Sequence, residues 1–195
     1  MPTLEVTTVA SCTVRCTYCP QDALKAAYRQ DSQHRLRPED FDVVLAKLPA
    51  HVRIDFSGFV EPWLNPDCTA MLENALRRGF SVAVYTTLQG MNDPERVCTL
   101  LTQYAHQVEI VCLHLPDEVG NMTGHKDDDA WRHALRCFLI LRGLDTFKRF
   151  ELMTMDASGA TPVVPVGRLL AFVGVDRAGA LDRSAIGEQP VEAPL

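Results

Sequence analysis

The sequence lacks any apolar run long enough to span a bilayer, and its first residues do not combine a charged start, a long apolar stretch and a small-residue cleavage site. Both absences predict a soluble, cytoplasmic protein with no membrane partner. A basic face is lacking too: 19 Lys and Arg stand against 25 Asp and Glu, for a formal net charge of -6, and the cations are scattered. Nothing in that pattern would recruit a phosphate backbone, so a nucleic-acid partner is not expected. Also missing is an even cysteine count. Seven cysteines cannot all pair; three crowd positions 12–19, while Cys68, Cys98, Cys112 and Cys137 are spread through apparent helices and strands. A disulfide framework would pair them in a smaller secreted chain, so this layout predicts a reducing compartment.

What is there is 195 residues with 47% hydrophobic content, enough for one well-buried domain and too few for two of full size. β-branched residues alternate over 4–9 as in a strand, the cysteine cluster follows on a loop, and a short helical stretch falls near 23–28. Pro38, Glu39 and Asp40 open a helix with Phe41, Val44, Leu45 and Leu48 at helical spacing. Strands are then predicted at 52–56, 81–86, 108–113 and 149–155, and helices at 69–78, 94–104 and 128–141. The apolar run 169–175 reads equally as a short helix or a sixth strand. The alternation implies an α/β fold with a parallel sheet and right-handed crossovers, either doubly wound or closing towards a barrel. One domain over 1–182 is expected, and 183–195, polar and without period, reads as a disordered tail or the start of a missing C-terminal region.

In either architecture ligands bind beyond the C-terminal ends of the strands. Polar residues collect at each such end: 12–19 after the first strand, 57–61 after the second, Thr86 and Thr87 after the third, His114 and Asp117 after the fourth, and Asp156 after the fifth. Each alone is ordinary loop polarity, but they meet at one rim.

Cys12, Cys16 and Cys19 supply three thiolates from one short loop, able to wrap three corners of a cubane cluster and leave the fourth iron open. Soft thiolates favour zinc or iron-sulfur centres; structural zinc wants four closed ligands, and no second Cys-x-x-Cys pair exists. His34 or a distant cysteine would have to complete such a site. The spacing of three residues and then two, with Tyr18 just before the last cysteine, resembles the signature of the radical S-adenosylmethionine superfamily. The resemblance implies a partial (βα)6 TIM-like barrel of parallel strands, incomplete at its C-terminal end. It also implies a 4Fe-4S cluster on the three cysteines whose open iron binds S-adenosylmethionine. Reductive cleavage of that cofactor gives a 5′-deoxyadenosyl radical that abstracts hydrogen from a substrate, with an electron donor such as flavodoxin or ferredoxin. Tyr18 then approaches the adenine; its other reading is a packing aromatic.

Residues 55–62, Asp-Phe-Ser-Gly-Phe-Val-Glu-Pro, resemble the family's Gly-Gly-Glu-Pro stretch, which meets the methionine amino group. Glu61 matches the acid, Phe59 and Val60 stand at the glycine positions, Gly58 is adjacent, and main-chain atoms at Val60 are expected to serve. The bland reading of Glu61 is a solvated loop acid. The stretch 86–90 resembles the family's turn after strand three, so Thr86 and Thr87 face cofactor or substrate, or cap a turn. Strand alternation puts Cys112 and His114 on one face, where relatives carry cofactor contacts; a core cysteine and a structural histidine are the alternatives. Finally, 176–182 resemble the segment leading into an auxiliary-cluster domain, yet no cysteine follows Cys137. That likeness points to a peptide or protein substrate, with a small molecule as runner-up. The alternatives of another class are a non-catalytic zinc or iron-sulfur binding module and a truncated core without turnover.

Overall fold

The computed structural model describes residues 1–28, 34–116, 120–144 and 146–154. Five strands form one parallel sheet in the order β1-β2-β3-β4-β5: β1 (Thr3–Val6), β2 (Arg53–Phe56), β3 (Val82–Thr86), β4 (Val108–Leu115) and β5 (Phe150–Thr154). Helices α1 (Gln21–Tyr28), α2 (Pro38–Leu45), α3 (Cys68–Arg77), α4 (Pro94–Gln103) and α5 (Asp129–Gly143) fill the crossovers. Each strand pairs with the next in sequence, so the described strands lack the reversal of order that defines a doubly wound sheet. With every step in one direction and crossovers of one hand, the helices fall on one face. The apolar run 169–175, the segment 176–182 and the tail 183–195 lie outside the described residues, as do Asp117 and Asp156.

Strand alternation divides the side chains between two environments. Ile54, Phe56, Val82, Val84, Val111 and Leu113 point to the helices and pack in one core with Phe41, Leu72, Leu101 and Phe138. Ala83, Ile110 and Cys112 form a small buried patch on the opposite face, beside Tyr85 and Met153. That face also carries charge: Arg53 and Asp55, two apart on β2, make a bidentate ion pair with N···O distances of 2.6 and 2.7 Å. The cavity described below opens at the C-terminal ends of these strands. No described helix is long and apolar enough to cross a membrane.

Candidate functional site

Strand β1 stops at Val6, earlier than the alternation over 4–9 predicts, because the chain there is captured by other partners. Thr8 donates its hydroxyl to the Pro62 carbonyl (2.7 Å), and the wholly buried Asn65 donates its amide to the carbonyls of Thr8 (2.8 Å) and Leu36 (2.9 Å). The cysteine loop follows. Its Val14 is fully buried and packs with Val9, Cys12, Val60 and Met122 in an apolar cluster separate from the main core. Arg15 takes a left-handed conformation, φ 52°, that turns the loop between Cys12 and Cys16.

The loop is clamped from far along the chain. In the β4–α5 connection, Asn121 accepts at its carbonyl from Thr17 N–H (2.8 Å), Thr123 donates its hydroxyl to the Arg15 carbonyl (3.0 Å), and Gly124 N–H donates to the Val14 carbonyl (2.8 Å). Cys16 and Met122 form an antiparallel bridge. Gly124 is required at its place, since a Cβ there would lie 1.9 Å from the Thr13 carbonyl oxygen. Sequence reasoning missed this clamp; a lone glycine in a polar loop announces no partner.

Cys12, Cys16 and Cys19 all line one cavity of about 510 Å³ at the C-terminal ends of β1 to β4. Tyr18, Gly58, Val60, Glu61, Thr87 and His114 line it as well. Cys112 does not: it is fully buried with Ala83 and Ile110, which is the core-cysteine alternative. His34 lines a different cavity of about 640 Å³, with Lys25 and Arg35, and shares no wall with the three thiols. His114 meets Tyr85 edge to face, centroids 6.5 Å apart, and burial holds its imidazole below its ordinary pKa. Tyr85, Glu5, Asp55 and Gln21 are further wall residues that the motifs did not single out, although alternation along β1 to β3 places the first three on this face.

Glu61 is 2% exposed, which rules out the solvated-acid reading. Its Oε1 accepts from Trp63 N–H (3.2 Å) and the Thr86 hydroxyl (2.7 Å), and its Oε2 from the Thr87 N–H (2.5 Å) and hydroxyl (2.7 Å). Burial raises its pKa, opposed by the donors of Thr87, Thr86 and Trp63. Both carboxylate oxygens are therefore committed to protein, and the residue joins the β2 loop to the end of β3. Glu5, by contrast, is exposed on the cavity wall and has no hydrogen bond among the described residues. Gly58, φ 101°, sits against it: a Cβ there would lie 2.6 Å from the Thr7 hydroxyl and 3.4 Å from Glu5 Oε1.

Burial lifts the Cys12 thiol above its usual pKa, against hydrogen bonds from the backbone of Val14, Glu61 and Arg15. The Cys16 thiol is raised by burial as well, opposed by a hydrogen bond with the Tyr18 side chain. Cys19 Sγ lies 3.4 Å from the Gln21 amide nitrogen and 3.6 Å from the Phe59 carbonyl. Around Cys19 the Gln21 amide can donate to sulfur, whereas the Phe59 carbonyl accepts from the thiol. Among the described residues, neither His34 nor a fourth cysteine lines the cavity with the three loop thiols.

Fold and site define an α/β protein carrying three free thiols on the C-terminal rim of a parallel sheet. No protein-family model matches the chain, and no curated protein does.

Proposed function

We propose that this chain is the core of a radical S-adenosylmethionine enzyme, with Cys12, Cys16 and Cys19 as ligands of a 4Fe-4S cluster. The observation that carries the reading is the convergence of these thiols with Tyr18 and the 58–61 loop on one cavity at the strands' C-terminal ends. With neither His34 nor a fourth cysteine on that cavity's wall, three thiols suit a cluster with one open iron better than a closed four-ligand zinc site. When bound, the cluster supplies the electron that cleaves the sulfonium of S-adenosylmethionine and so starts radical chemistry on a substrate.

The chain's own residues bind, orient and shield. Tyr18 offers a ring beside the cluster ligands, and the Gly58 and Val60 main chain offers close backbone approach. Glu61 fixes that loop against Thr87, and Glu5 is the uncommitted acid available to the methionine ammonium. The sheet's one-directional order fits consecutive βα units closing partway into a barrel. A reducing cytoplasm, a flavodoxin or ferredoxin donor and a peptide or protein substrate complete the proposal.

Anaerobic reconstitution with iron and sulfide tests it. The expected product is a brown protein with the paramagnetic signature of a reduced 4Fe-4S cluster, forming 5′-deoxyadenosine from S-adenosylmethionine under dithionite. Substitution of any of the three cysteines by Ala is expected to abolish both. A colourless protein holding zinc in the loop would overturn the reading in favour of the binding module; cofactor cleavage without a modified product would identify a core that turns over nothing.

A further inference from the structure

Away from the cavity, α4 and α5 lie side by side, and three side chains able to bind a metal meet at their junction. Glu95 in the first turn of α4, with His133 and Cys137 of α5, brings three ligand atoms to within 4.8 Å of one another. His133 and Cys137, four residues apart, share a helix face. His133 Nε2 lies 2.5 Å from Glu95 Oε1 and 3.9 Å from Cys137 Sγ.

Imidazole, thiolate and carboxylate together are a borderline-soft donor set, which suits zinc and not the hard cations. Bonds of about 2.0–2.3 Å put nitrogen and sulfur about 3.6 Å apart at the corners of a zinc tetrahedron, and nitrogen and oxygen about 3.4 Å. The nitrogen and sulfur nearly satisfy this as they stand. The carboxylate must draw back by less than about one ångström to admit the metal, and its side chain, 65% exposed, is free to do so. A plain surface ion pair accounts for Glu95 and His133 but contributes little, and it leaves the adjoining Cys137 thiol unaccounted for.

We propose that Glu95, His133 and Cys137 form a three-residue zinc site that staples α4 to α5. It is independent of the cysteine loop and of whatever that loop binds.

Because loop thiols also take soft metals, the test uses the full chain with C12A, C16A and C19A combined, titrated with zinc(II) and with cobalt(II) as an optical probe. One tightly bound equivalent is expected, with thiolate-to-cobalt charge transfer and tetrahedral cobalt bands. Adding H133A or C137A is expected to weaken binding by more than the roughly 10–100-fold typical of losing an outer-sphere partner. No bound equivalent, or binding that survives H133A and C137A, overturns the proposal. If the loop variant does not fold, the same comparison is made in the unmutated chain, where H133A lowers the zinc stoichiometry by one; an unchanged stoichiometry overturns it.

Discussion

At Gly124 the β4–α5 connection passes so close to the cysteine loop that the atom which would be displaced is a main-chain carbonyl, not a side chain able to swing away. Gly124→Ala is therefore expected to lower the iron retained per chain several-fold after reconstitution, with the far-ultraviolet circular dichroism unchanged. Gly79→Ala is the comparison: its φ is 84° but nothing stands within 4 Å, so it is expected to cost only the about 1–2 kcal/mol of a left-handed side chain and to keep its iron. A second contrast separates two acids on one wall. Glu61→Gln puts an amide among four donors and is expected to lower stability by about 1–3 kcal/mol in urea unfolding. Glu5→Gln is expected to leave stability and iron content alone and to raise the S-adenosylmethionine KM at least about tenfold, as loss of a charge-assisted contact does. Equal effects of the two on KM would sink the assignment of Glu5.

Between elements, Asn65 joins three segments distant in sequence, since its amide serves the carbonyls of Thr8 and Leu36 and its oxygen accepts from Asp67 N–H (3.0 Å). Asn65→Ala strands those groups and is expected to destabilise the chain by about 2–4 kcal/mol; Asn65→Asp, which turns an acceptor toward two carbonyls, is expected to do worse in the same unfolding experiment. This joint was not legible in the sequence, because a buried asparagine and a loop asparagine carry the same letter. The strands and helices were: β-branched runs and Pro38 or Pro94 at helix starts placed β2 to β5 and α3 to α5 within two residues of their observed ends, and α2 at its observed start, though it stops at Leu45 and not at Leu48. That Cys12, Cys16 and Cys19 sit on a loop beyond the end of β1 was legible too, because they follow its β-branched run directly. Glu61 was found but not its four donors, since a motif names a residue and not its bonds. The 121–124 clamp and Glu5 stayed hidden, for each gains meaning only from a neighbour contributed by another element.

For the molecule as a whole, acid should act through two half-buried imidazoles. Burial lowers the pKa of His114, and also that of His125, where Asp127 and Asp128 pull the other way. The unfolded chain then binds protons more readily, so this contribution is fully present above the unfolded value of about 6.5 and is lost as pH falls through it towards the folded values. The melting temperature is expected to fall between about pH 7.5 and pH 5, and less so in the H114Q/H125Q double variant; parallel curves would contradict it. The clamp on the cysteine loop has a consequence for biosynthesis as well. Thr17, Arg15 and Val14 receive their partners from residues more than a hundred positions later, so a nascent chain still lacking Gly124 cannot give the loop its final shape. On the proposed cluster reading, metal can be loaded only after the ribosome has moved well past β4, and the thiols would pass that interval exposed to oxygen.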